Sequence, residues 1–151
     1  MQGSRLRIRH FKENDLEDLH RLLSDEEVMR YLEPPFSKEK TTDFLREVGL
    51  CDEPLIYAVD NLDGGFVGYV IYHIYEEESY EIGWVLYKEE WHKGYAQELT
   101  QMLIRDAREQ HRDLVIECLP EQETSKQIAL SNGFEYRGNV DGCDVYLLRI
   151  N

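Results

Sequence analysis

The stretch Tyr80-Glu81-Ile82-Gly83-Trp84-Val85-Leu86, with Trp91-His92-Lys93-Gly94-Tyr95-Ala96 close behind it, decides the fold. Its first half, extended to Tyr87, is rich in aromatic and β-branched residues and reads as a strand. Its second half is a turn that opens a helix. From Gly94 to about Gln110, Ala96, Leu99, Leu103 and Ala107 fall on one face, and Gln97, Glu98, Gln101, Arg105 and Arg108 face water. Gly94 has no side chain and Ala96 nearly none, so phosphate oxygens can approach the backbone amides of the helix start, where unpaired N–H groups and the dipole favour anions. Lys93 and His92 add positive charge nearby. Taken alone, Gly-x-Ala is a weak signal that favours a plain strand-to-helix turn, so its surroundings must decide.

Working outward, Pro54 to Asp60 and Phe66 to Tyr75 are β-rich runs, and Asn61, Leu62, Asp63, Gly64 and Gly65 between them favour a hairpin turn. Further upstream, Leu6, Ile8 and His10 alternate with arginines as a short first strand. Asn14 is placed to cap a helix carrying Leu16, Leu19, Leu22 and Leu23, and Ser37 to cap a second with Phe44, Leu45 and Val48. Downstream, Leu114 to Cys118 is a short apolar run of strand length. Pro120, Glu121 and Glu123 suit a helix start, and Asn132 and Gly133 its end. Phe134 to Val140 and Cys143 to Ile150 are strand-like runs joined by Asp141 and Gly142, a second hairpin. The order βααβββαβαββ predicts an α/β fold with a mixed sheet covered by helices.

The chain has 151 residues, a length that suits a single domain over 1–151, and shows no linker, repeat or low-complexity tract. Asp and Glu number 31 against 17 Lys and Arg, a formal net charge of -14. That field repels a phosphate backbone, offers no basic stripe for nucleic acid and suits cationic substrates. Cys51, Cys118 and Cys143 show no CxxC or Cys/His spacing, so neither a disulfide framework nor a metal site is expected, and a reducing cytoplasm is the natural setting. Met1 to His10 has no signal core, and no apolar run is long enough to span a bilayer.

Together with Glu98 and Leu99 inside the helix, the Tyr80–Leu86 and Trp91–Ala96 segments resemble the acyl-CoA-binding core of the GNAT N-acetyltransferase family, particularly its ribosomal-protein N-terminal (RimJ/RimL-type) branch. Gln122, Ser125, Ile128, Gly133 and Phe134 match a second motif of that branch. Trp91 stands where the general turn pattern often has Gln or Arg, and Gln122 replaces a more usual Asn. The resemblance implies a mixed, mostly antiparallel sheet flanked by helices and splayed between its fourth and fifth strands, Tyr80 to Tyr87 and Leu114 to Cys118. It also implies acetyl-CoA as cosubstrate without a metal. Pantetheine would bond to the strand around Trp84, Val85 and Leu86, with Gln122 nearby, and the pyrophosphate would sit on Trp91, His92, Lys93, Gly94, Tyr95 and Ala96. Lys88 reads as a solvated loop lysine.

An alkyl ammonium, with a pKa near ~10.4, cannot attack a thioester until it loses a proton, so a base is required. Glu81 is the candidate, because strand alternation turns it away from Tyr80, Ile82, Trp84 and Leu86. A strand N–H would hold the oxyanion, and Ser125 matches the family's position for the acid that protonates the departing thiolate. Ala129 replaces the Tyr that many relatives use instead. Cys118 reads as a small buried hydrophobe, and His73 as a residue packing on the sheet among Tyr69, Tyr72 and Tyr75.

The expected activity is acetyl transfer to a primary amine, on a protein N-terminus or a small molecule. The alternative is a non-catalytic acyl-CoA-binding or sensing module, which Ala129 keeps open. A dinucleotide-binding redox domain is disfavoured, since residues 94–99 do not supply G-x-G-x-x-G. Oligomeric state stays open, with the edge strands of the last hairpin as the surface available for a homodimer.

Overall fold

The computed structural model describes residues 1–150. Seven strands, β1 (Leu6–Arg9), β2 (Ile56–Asn61), β3 (Phe66–Glu76), β4 (Ser79–Leu86), β5 (Asp113–Cys118), β6 (Glu135–Val140) and β7 (Cys143–Leu148), form a sheet in the order β1-β2-β3-β4-β5-β7-β6. The helices are α1 (Leu16–Leu23), α2 (Lys38–Phe44), α3 (Tyr95–Gln110) and α4 (Glu123–Ser131), interleaved as the sequence predicts. β1, β2 and β3 pair antiparallel in turn, as do β5 with β7 and β6 with β7, whereas β4 and β5 run parallel. This mixed, mostly antiparallel α/β sheet flanked by helices is the expected class. Between β4 and β5, where the splay is expected, the register covers Ser79–Asp113, Tyr80–Leu114 and Glu81–Val115 and goes no further.

The chain divides into two compact units, Met1–Ile71 with Trp84–Tyr95, and Tyr72–Gly83 with Ala96–Asn151. In the first, Phe11, Leu19, Leu22, Leu23, Met29, Phe36, Leu45, Ile56, Ala58, Tyr69, Val85 and Tyr87 form one buried core. The Ser37 Oγ accepts from the Lys40 N–H at 3.1 Å and so caps α2 as its position predicts. Asn14 does not cap α1. A single turn of 3-10 helix, Glu13–Asp15, precedes that helix, and the carboxylate accepting the Lys12 N–H at 2.7 Å belongs to Asp15. The same carboxylate receives Arg9 through two bonds of 2.8 and 2.9 Å, and Arg9 also reaches Asp60 at 2.7 Å. Burial alone would push the Asp15 pKa up, but Arg9 and the Lys12 amide together hold it below its ordinary value.

In the second unit, Leu99, Leu103 and Ala107 of α3 are fully buried, as their spacing predicts, with Leu114 of β5 and Ala129 of α4. α3 and α4 are tied by reciprocal amide bonds between Gln97 and Asn132, at 2.9 and 3.3 Å. Beside them, the Tyr72 hydroxyl donates to Asp106 at 2.7 Å, and the Arg112 guanidinium lies 3.9 Å from the Tyr80 ring centre.

Within the first unit, β3 approaches β4 closely at Gly68, next to the register shift between Val59 and Asp60. Gly68 has φ +154°, and a Cβ there would meet the Val85 carbonyl oxygen and lie 2.8 Å from the Leu86 Cα. Both are backbone atoms and cannot turn aside. Gly68→Ala should therefore destabilise the chain by about 1–3 kcal/mol in chemical denaturation, the usual cost of overpacking. Unchanged stability would contradict the close approach.

Candidate active site

The end of β4 and the turn behind it lie in the first unit. The Tyr87 N–H donates to the Val67 carbonyl on β3 at 3.0 Å. Strand alternation then turns the Val85 peptide groups toward β3 as well, and the N–H and C=O of Trp84 and Leu86 off the opposite edge of β4. On that edge the Trp91 indole N–H donates to the Leu86 carbonyl at 3.0 Å. Trp91 thus closes the loop from Tyr87 to Trp91 by a bond to the strand end, a role its sequence position did not suggest.

Beyond Trp91 the backbone changes hand twice, with φ +64° at His92 and +80° at Gly94. Alternation of this kind turns successive N–H groups into one concavity, and α3 adds its unpaired amides from Tyr95 onward. At Gly94 a Cβ would meet the Arg5 Nη2 at 3.4 Å and no other atom within 4 Å. Arg5 donates to the Lys93 carbonyl at 2.6 Å and its guanidinium carbon lies 4.8 Å from the Tyr95 ring centre. The chain start therefore braces the turn from 88 positions away, beyond the reach of local spacing. The Lys93 ammonium pairs with Glu90 at 3.2 Å. Lys88 is paired rather than merely solvated, at 3.5 Å from Glu27 and 3.8 Å from Asp25.

The candidate acid–base residues lie in the second unit. Tyr80 faces Tyr72 and Arg112, so Glu81 projects from the other side of β4, as alternation predicts. Glu81 is half-buried there. His73 does not simply pack on the sheet: its Nε2 lies 3.4 Å from Glu81 Oε1. Burial pushes the Glu81 pKa up, His73 pulls it back down, and Glu117 of β5 adds to the rise. The Tyr75 hydroxyl donates to Glu117 at 2.6 Å. A half-buried carboxylate whose proton affinity is raised by its surroundings has the character of a general base.

Ser125 is half-buried in the first turn of α4, and its hydroxyl makes no hydrogen bond to a described residue. Gln122, just before α4, has its amide oxygen committed to the Leu119 N–H at 2.8 Å, which leaves its NH2 group for a ligand. Burial pushes the Cys118 thiol up to about 11, so it stays protonated and packs as a small apolar group. A hollow of about 370 Å³ is lined by Glu77, Glu78, Tyr80, Gln110, His111 and Arg112. It opens on the Tyr80 side of β4, opposite Glu81, and its carboxylates do not suit a phosphate.

The model of the acetyltransferase (GNAT) domain family matches residues 5–135. The chain belongs to that family and is an acyl-CoA-dependent acetyltransferase. It is 27% identical over 144 residues, 92% of its own length and 84% of the relative's, to an uncharacterized N-acetyltransferase, YnaD, of Bacillus subtilis (strain 168). The structure of a GNAT-family acetyltransferase from Bacillus anthracis superimposes with a TM-score of 0.86 at 27% identity, over 97% of this chain and 95% of that one. A RimL ribosomal-protein α-N-acetyltransferase solved with coenzyme A shares the fold, with a TM-score of 0.82 at 19% identity over 98% and 96% of the two chains.

His92 holds a left-handed conformation without being glycine, which costs about 1–2 kcal/mol. His92→Gly should therefore raise the melting temperature while preserving the turn; a fall would show that this backbone is not left-handed.

Proposed function

We propose that the chain transfers an acetyl group from acetyl-CoA directly to a primary amine, as RimJ/RimL-type enzymes do to protein N-termini. The observation that carries this reading is the left-handed turn at His92 and Gly94 that opens the amide end of α3. The shape of that turn fits a pyrophosphate: its donors are backbone N–H groups, and the glycine leaves the space a side chain would fill. Residues 91–96 hold the pyrophosphate. Trp84 N–H and C=O, directed off the edge of β4, would meet the pantetheine amides, with Val85 and Leu86 as the adjoining strand; the Gln122 NH2 is a separate candidate donor. Acetyl-CoA supplies the activated thioester.

Glu81 takes the proton that the acceptor ammonium must lose, which leaves a neutral amine able to attack. A backbone N–H of β4 steadies the developing oxyanion. Ser125 gives its hydroxyl proton to the departing sulfur. The net charge of -14 favours acceptors that carry positive charge, whether a small amine or a basic peptide N-terminus. Three free cysteines suit a reducing, cytoplasmic setting.

Because Lys93 is shared with Glu90, charge at the turn tunes binding in both directions. In calorimetric titration with acetyl-CoA, Glu90→Gln should tighten binding and Lys93→Glu weaken it, each by about 0.3–1 kcal/mol. Adding Gly94→Val to Lys93→Glu should weaken it much further. Equal affinity across the set would remove the turn from the cofactor site.

Thiol release with a panel of amines and N-terminal peptides reads the chemistry. Glu81→Gln should lower kcat by about 10²-fold or more without changing the acetyl-CoA dissociation constant. Ser125→Ala should lower kcat in the same sense. Tight acetyl-CoA binding without CoA release from any amine would instead establish a non-catalytic binding module.

A further inference from the structure

Glu81 has a partner whose chemistry is fixed by the backbone. β3 alternates its side chains, so Tyr72 goes to Asp106 and Arg112 on one face, while His73 and Tyr75 go to Glu81 and Glu117 on the other. His73 Nδ1 lies 2.8 Å from the Ile74 carbonyl oxygen. A carbonyl only accepts, so Nδ1 carries a hydrogen, and Nε2 is the nitrogen that faces Glu81. In the neutral ring a lone pair on Nε2 would confront the carboxylate at 3.4 Å. With a proton there the contact becomes attractive. With hydrogens on both ring nitrogens, the imidazole bridges the Ile74 carbonyl and the Glu81 carboxylate.

We propose that His73 is a positioning residue for Glu81, its imidazolium keeping that half-buried carboxylate charged and aimed to receive the acceptor's proton. The inference rests on the reading of Glu81 as the base. Of the groups that act on Glu81 from neighbouring strands, Glu117 on β5 raises its proton affinity and His73 on β3 lowers it. The Tyr75 hydroxyl is pushed up chiefly by its hydrogen bond to Glu117, and the Cys143 thiol at the start of β7 chiefly by burial, with Glu81 a smaller contributor to each. Tyr75 donates to Glu117, so part of that competing negative charge is already neutralised by a hydrogen bond. Without His73, burial and Glu117 act on Glu81 unopposed.

The test is a pH titration of the Glu81 carboxyl carbon, 13C-labelled and followed by NMR in the full chain, which requires no turnover. His73→Asn should move its midpoint upward by about one pH unit or more, roughly the effect of losing an opposite charge at this range. His73→Lys, which keeps a cation, should restore most of the original midpoint. If His73→Asn does not fold, His73→Gln serves in its place. An unmoved Glu81 midpoint overturns the proposal. In the acetyl-transfer assay, the acid limb of kcat/KM for an N-terminal peptide should move upward with the NMR midpoint while KM for acetyl-CoA stays constant. A moved midpoint with an unmoved acid limb would uphold the pair and sink Glu81 as the base.

Discussion

Three residue pairs between parallel strands, from Ser79–Asp113 to Glu81–Val115, shape everything that follows them in the chain. Parallel neighbours cannot be joined by a hairpin, so the chain must leave the end of β4, travel back and enter β5 from the same side. The 16-residue α3 makes that return. A crossover of this kind sets the N-terminal end of its helix at the carboxyl end of the strand it follows, the place where open α/β sheets bind ligands. The turn from Trp91 to Gly94, its left-handed backbone and its exposed amides are thus consequences of a topology. The same register sets Glu81 in line with β5 and allows Glu117 to act on it.

The electrostatics of the turn run against the charge of the chain. Lys93 is shared with Glu90, and Lys88 with Asp25 and Glu27, so neither ammonium is held in reserve for a phosphate. What the turn offers an anion is its backbone N–H groups, which carry no competing partner charge and are fixed by the fold. Arg5 contributes mainly by bracing the Lys93 carbonyl, which keeps the turn in the hand it needs. Glu81 shows the opposite feature, a half-buried carboxylate in a chain with a large acid excess.

Much of this was legible from the sequence, because periodicity and turn chemistry are local. α3 follows from Ala96, Leu99, Leu103 and Ala107 at helical spacing, and the last hairpin from Asp141-Gly142. What was not legible depends on register and on distant chain segments. Asn14 reads as the cap of the first helix, but Arg9 and Lys12 converge on Asp15 instead. His73 looks like sheet packing until the β3–β4 hairpin sets it beside Glu81. The Leu119 amide claims the oxygen of Gln122 through a turn geometry that residue types alone do not specify.

The most direct test of the central claim is backbone amide chemical-shift mapping as acetyl-CoA is titrated into the 15N-labelled chain. The account predicts the largest changes at the amides of His92, Lys93, Gly94, Tyr95 and Ala96, with Trp84 on the strand edge. Changes centred on the hollow formed by Glu77, Tyr80, His111 and Arg112, with the turn amides unmoved, would contradict it.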